Sequence, residues 1–187
     1  MATSLTTVQI PVQEATAQRL QPYGVLLDGQ VQRPGLSIPF YQGSVEEGDN
    51  LDFVCRGRPV IRTARISKRS PDVDWLEFHR VLTQVFIGLG GHSFVMVLGR
   101  PSPEATVPDL DQVEAFRFRP GHGVMLHQRV WHDFPMADGE PVTVFTINSE
   151  EVVAALASQA LPAEMDRGDV YKVAVLSRTG KKLKVLM

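Results

Sequence analysis

Cysteine is almost missing from this 187-residue chain, where Cys55 stands alone. One thiol closes no intrachain disulfide, so the expected setting is a reducing cytoplasm. An excess of either charge is missing too: 19 basic and 21 acidic side chains leave a formal charge of -2, which argues against a dedicated nucleic-acid surface. The expected partner is a small molecule. No run approaches the roughly 20 apolar residues of a membrane span, and the opening MATSLTTVQIPVQEATAQRL lacks the basic-then-apolar build of a secretion signal. A soluble protein is expected. No internal repeat or low-complexity linker divides the chain, and 43% apolar residues suit one domain, 1–187, with a real core.

Turn residues, by contrast, are plentiful. Pro11 followed by EATAQRL reads as a short helix within residues 8–20, stopped by QPYG. From there to about residue 66, glycine and proline break the chain around β-prone pieces such as VIRTARI. Residues 70–80, SPDVDWLEFHR, carry turn residues and then a β-prone run. TQVFIGLGGHSFVMVLG reads as two strands about a turn at Gly88–Gly91; after the Pro-rich RPSPEATVPDLD come VEAFRF, GVML and VTVFTI. EEVVAALASQA, 150–160, reads as a helix, and DVYKVAVLS with KKLKVLM as a terminal hairpin. The lysine-rich end reads as solvated protection of a sheet edge. Closely spaced strands of this kind indicate an all-β sandwich or barrel.

The chemistry concentrates in two places. Glu77 and His79 are two residues apart, so on a strand they share one face. A carboxylate beside a buried histidine costs several kcal/mol unless paired, protonated or metal-bound, so an inward Glu77 needs a reason. The second place is GHGVMLHQRVWHDFP, with three histidines in fifteen residues. His127 and His132 are five apart and face opposite ways on a continuous strand; a turn at Gln128–Val130 is needed to bring both inward. His92 and His122 lie among turn glycines and are read as exposed, and Trp131 as pocket wall or core.

Glu77-x-His79-x4-Gln84-x6-Gly91 resembles the first cupin motif, and Pro120–His132 the second. The resemblance implies a cupin-type double-stranded β-helix, a jelly-roll barrel with short N-terminal and C-terminal helices. YGVLLD, EFHRVLTQVFIGLGGHSFVMVLG, PDLDQVEAF and GHGVMLHQRVWHDFP together resemble the bacterial ureidoglycolate lyase family, from about Tyr23 to Asn148. That resemblance implies an enzyme splitting ureidoglycolate into glyoxylate and urea, in a fold that is commonly dimeric. Three positions depart from the family pattern. Asp133-Phe134 stands where a second histidine is usual, Gln128 where an arginine is, and Asn148 where an aspartate is; all lie near the implied pocket and point to a change of substrate.

The expected site follows. Glu77, His79, His127 and His132 are the candidate acid/base groups, able to take the hydroxyl proton of a carbinolamide and protonate its departing nitrogen. Lys68 and Arg69 are candidate anchors for the substrate carboxylate, with Gln84 and Trp131 lining the pocket. Glu77, His79, Gln84 and His132 also form an N/O set suited to Mn, Fe, Ni or Zn. A homodimer is expected, through the irregular, partly apolar segment 25–60. Against the lyase stand a metal-dependent cupin of another reaction type (hydrolase, isomerase or dioxygenase) and a non-catalytic cupin that binds a small acid.

Overall fold

Alternation of apolar and polar residues drives most of this chain into strands. The computed structural model describes residues 5–36, 38–101, 104 and 106–187; part of the Pro-rich loop that follows Gly99 lies outside them. In chain order the elements are β1 (Thr7–Glu14), α1 (Ala17–Leu20), β2 (Gly24–Leu27), β3 (Pro59–Ile66), β4 (Trp75–His79), β5 (Val85–Leu89), β6 (Phe94–Gly99), β7 (Val113–Phe118) and β8 (Gly123–Leu126). After these come β9 (Trp131–His132), β10 (Met136–Ala137), β11 (Val142–Ser149), α2 (Glu150–Ala157), β12 (Met165–Arg167), β13 (Val170–Ala174), α3 (Val175–Thr179) and β14 (Lys182–Leu186). The large sheet runs β12-β13-β4-β9-β6-β7-β1-β14, with β10 on β6; the small one runs β2-β8-β5-β11-β3.

The large sheet curls. Val73 N–H donates to the Leu183 carbonyl and Val185 N–H to the Pro71 carbonyl, both at 2.9 Å, so the segment leading into β4 meets β14 from the far end. The concave side holds one core, with Ile10, Leu76, Phe78, Val97, Trp131, Val173 and Leu183. The other face of its middle strands packs on the small sheet through Phe86, Met96, Leu98, Phe116, Val124 and Val144. This is a cupin-like β-sandwich with few, short helices.

Two expected elements differ. Residues 7–14 form a strand, and the helix is only Ala17–Leu20: Val8, Ile10 and Val12 pack on the concave core at period two. Pro11 is tolerated because β1 changes partner beside it, pairing with β14 through Pro11 and with β7 from Val12. The terminal hairpin does not form either. β13 pairs with β4, β14 pairs in parallel with β1, and α3 intervenes. β5 and β6, on either side of the glycine turn, belong to different sheets. The helix over 150–160 is present as α2, with the Ser149 hydroxyl accepting from Val152 N–H at 3.2 Å.

Candidate active site

Strand alternation builds the site. On β13, β4 and β9, Tyr171, Leu76, Phe78 and Trp131 point to the concave core, so Lys172, Glu77, His79 and His132 take the opposite face, toward the small sheet. Register then aligns three of them: Lys172 is opposite Glu77, and Glu77 opposite His132. Behind this row, the Phe78 ring packs edge-on against Trp131 at 4.7 Å and stacks on Tyr171 at 5.0 Å.

Lys172 Nζ donates to Glu77 Oε2 at 2.8 Å, and Glu77 Oε1 lies 3.7 Å from His132 Nε2. Burial opposes ionisation of Glu77, yet the opposing charges around it, Lys172 first, outweigh burial and hold the carboxyl below its usual range. The buried His132 moves the other way: burial, then its neighbour His79, pull its pKa down to about 4 against the pull of Glu77. It is therefore neutral at pH 7, and Lys172 supplies the charge that keeps Glu77 ionised.

Tautomers follow from the hydrogen bonds. His132 Nδ1 donates to the Val130 carbonyl at 2.9 Å, which leaves Nε2 a bare lone pair with no hydrogen-bond partner among the described residues. His79 Nε2 donates to Gln84 Oε1 at 3.0 Å, and its Nδ1 is likewise unpartnered. The two rings lie 5.2 Å apart.

The loop between β4 and β5 is clamped by Asp169, which is fully buried and accepts from Val81 N–H at 2.6 Å and Leu82 N–H at 3.0 Å. The turn after β8 docks on the same loop, as Gln128 Nε2 donates to the Val81 carbonyl at 2.6 Å and Arg129 N–H to the His79 carbonyl at 2.8 Å. From the small sheet, Phe86 brings its ring 6.2 Å from His132; Thr146 and Asn148 are buried on the same inward side of β11.

Thus Glu77, His79, Gln84 and His132 come together. His127 does not join them. The turn at Gln128–Arg129 exists, with Arg129 at φ 63°, but it carries His132 inward and leaves His127 exposed, lining a separate cavity of about 570 Å³ with Asp52 and Thr83. Trp131 is 1% exposed in the opposite core. Lys68 is exposed and makes no ion pair among the described residues. Arg69 is committed, donating to Asp133 Oδ2 at 2.6 Å and the Phe134 carbonyl at 2.9 Å; burial pushes the Asp133 pKa up while Arg69 opposes it. Sequence reasoning missed Lys172. Its one signal was a lysine inside the otherwise apolar alternation of VYKVA.

Glu77, His79 and His132 each offer a ligand atom, all within 4.8 Å of one another. Unpartnered, buried imidazole nitrogens beside a carboxylate fit a divalent ion with N/O preference. Gln84 spends its oxygen on His79 and stands behind that ligand as an orienting group. Among the described residues no helix is long and apolar enough to cross a membrane.

A family profile described as ureidoglycolate lyase matches residues 7–166. The match spans Glu77, His79, Gln84 and His132 and ends before Lys172. No curated protein matches the chain.

Proposed function

We propose a reaction from the premise that this chain belongs to the ureidoglycolate lyase family and is therefore a lyase: cleavage of the C–N bond of ureidoglycolate, giving glyoxylate and urea. The observation that carries it is the Lys172–Glu77–His132 row, with one bare imidazole nitrogen beside a carboxylate kept ionised by an ammonium.

Ureidoglycolate bears a hydroxyl, a carboxylate and a ureido nitrogen on one carbon. Lys172 has three N–H donors, one of which goes to Glu77; the other two hold the substrate carboxylate. His132 Nε2 takes the hydroxyl proton as the C=O bond forms and the C–N bond breaks. The imidazolium so formed is stabilised by Glu77 and gives its proton to the departing nitrogen, which sits on the same carbon. Burial keeps His132 neutral at pH 7, so its Nε2 lone pair is free to accept the proton. His79, held by Gln84, supports the second side of the cluster.

A second reading rests on the same unpartnered nitrogens. Glu77, His79 and His132 would hold a divalent ion, and such an ion would polarise the substrate hydroxyl as a Lewis acid. Metal analysis of protein purified without chelator, and turnover before and after chelator dialysis, separates the two. The reaction itself is tested by assaying glyoxylate and urea together from ureidoglycolate; release of ammonia in place of urea, or no glyoxylate, rejects it. We also propose a homodimer in a reducing cytoplasm.

A further inference from the structure

Next to the catalytic row lies a cavity that the ureidoglycolate reaction does not need. Its volume is about 370 Å³, and Trp75, Leu156, Leu161, Pro162 and Ala163 line it together with Lys172. Two of these residues tie it to the site. Lys172 donates to Glu77, and Trp75 shares the Glu77 face of β4 two residues away. Lys172 is also the exposed end of the row: its side chain is 25% exposed, against 7% for Glu77 and 2% for His132. A molecule reaching Glu77 past Lys172 therefore has this cavity behind it.

The cavity does not match a ureido group. That group has four non-hydrogen atoms, whereas about 370 Å³ equals the liquid volume of roughly a dozen waters. Urea also presents N–H donors and a carbonyl over its whole surface. Of the cavity's residues besides Lys172, only Gln159 and the indole N–H of Trp75 offer side-chain polar groups, too few to pair a ureido group on all sides, and desolvating unpaired amide groups is unfavourable. Leu161, 77% exposed, is the kind of open apolar surface that marks a binding site when it lies in a concave wall.

Resting on the carbinolamide reading above, we infer that the same site, besides cleaving ureidoglycolate, prefers an N-acyl-α-hydroxyglycine whose acyl group is larger and more apolar than carbamoyl, with that group seated in the Trp75–Leu161 cavity. The chemistry is unchanged and balances: HO–CH(COO⁻)–NH–CO–R gives glyoxylate, OHC–COO⁻, and the free primary amide of the same acyl group. The proton leaves the hydroxyl and ends on the amide nitrogen, with no oxidant, reductant or second substrate. Lys172 holds the carboxylate at the inner end of the cavity, and R lies outward against Trp75 and Leu161.

The test compares ureidoglycolate with α-hydroxyhippurate, the N-benzoyl member of the class, by glyoxylate release from the full-length protein. The expected result is a kcat/KM for α-hydroxyhippurate at least about tenfold above that for ureidoglycolate, the scale of filling an apolar pocket. Leu161→Gln, at an exposed position, lowers the ratio of the two constants by roughly tenfold. Preference for ureidoglycolate, or a ratio that Leu161→Gln does not change, overturns the inference and leaves the lyase reading standing. No glyoxylate from either compound overturns both.

Discussion

His132 gives up hydration that its protonated form would need, and this has a measurable cost in acid. Its folded-state pKa of about 4 lies below the 6.5 of an unperturbed histidine, so the unfolded chain binds the extra proton first. The stability linked to this group is complete above pH 6.5 and is lost as pH falls toward 4, on the order of 3 kcal/mol in all. Denaturant titrations at pH 7, 5.5 and 4.5 are expected to show a smaller loss in His132→Asn than in the unsubstituted chain. The same variant stays folded at pH 7, and its turnover falls by roughly 10²-fold or more, the scale of a lost proton-transfer group; normal turnover in folded His132→Asn sinks the site. Lys172→Met removes the ammonium from a buried carboxylate. Its expected cost is about 3 kcal/mol, and Lys172→Arg should recover much of it. Glu77 and His79 were legible because a spacing of two on a strand puts both on one face, and His132 through the resemblance of Pro120–His132 to the second cupin motif. Lys172 was not, because its approach to Glu77 comes from a strand pairing 95 residues away in sequence.

Among the elements, β8 shows how closely strand packing constrains this fold. A methyl group on Gly123 would lie 2.1 Å from the Phe86 carbonyl oxygen and 2.8 Å from the Ile87 Cα, both backbone atoms of the paired strand β5. Gly123→Ala therefore pushes β8 off β5, and through Phe86 it disturbs the ring beside His132. An expected loss of roughly 3 kcal/mol or more would appear as a drop in Tm. An unchanged Tm would mean the two strands are not held this closely. Asp169→Ala is the matching test for the loop, since it strands two backbone N–H groups at Val81 and Leu82; about 2 kcal/mol or more is expected to be lost. Strand periodicity was readable for β3, β4, β7, β8 and β11, where pattern and turn residues agree. It was misread in β1, where Pro11 and the good helix formers after it hid the alternation of Val8, Ile10 and Val12. The terminal hairpin failed for a different reason. Local turn residues suggested that β13 and β14 pair, but each finds a better apolar neighbour elsewhere, and a parallel partner such as β1 leaves no local mark in sequence.

At the scale of the molecule, the small sheet poses a problem of solvent exposure. An antiparallel sheet with one face in the core is expected to turn polar residues outward, yet the outward positions here include Val25, Ile61, Ile87, Leu89, Phe145 and Ile147. Of these, Ile61 is 69% and Leu89 44% exposed. The segment joining β2 to β3 carries Phe40 and Tyr41, which are 68% and 67% exposed. β3, eight residues long, is the open edge of the same sheet, and an unpaired apolar edge invites association. A second copy of the chain satisfies both features at once, because a two-fold axis sets the same apolar face and the same edge against themselves. With a formal charge of only -2, long-range repulsion between copies is small. Light scattering at micromolar concentration is expected to give twice the 20.7 kDa chain mass, and Ile61→Glu to weaken the dimer at least about tenfold by placing paired charges across the axis. Ile61 lies outside the Lys172–Glu77–His132 row, so the variant separates assembly from chemistry. A monomeric parent chain, or a dimer indifferent to Ile61→Glu, would show that something other than a second copy covers this face.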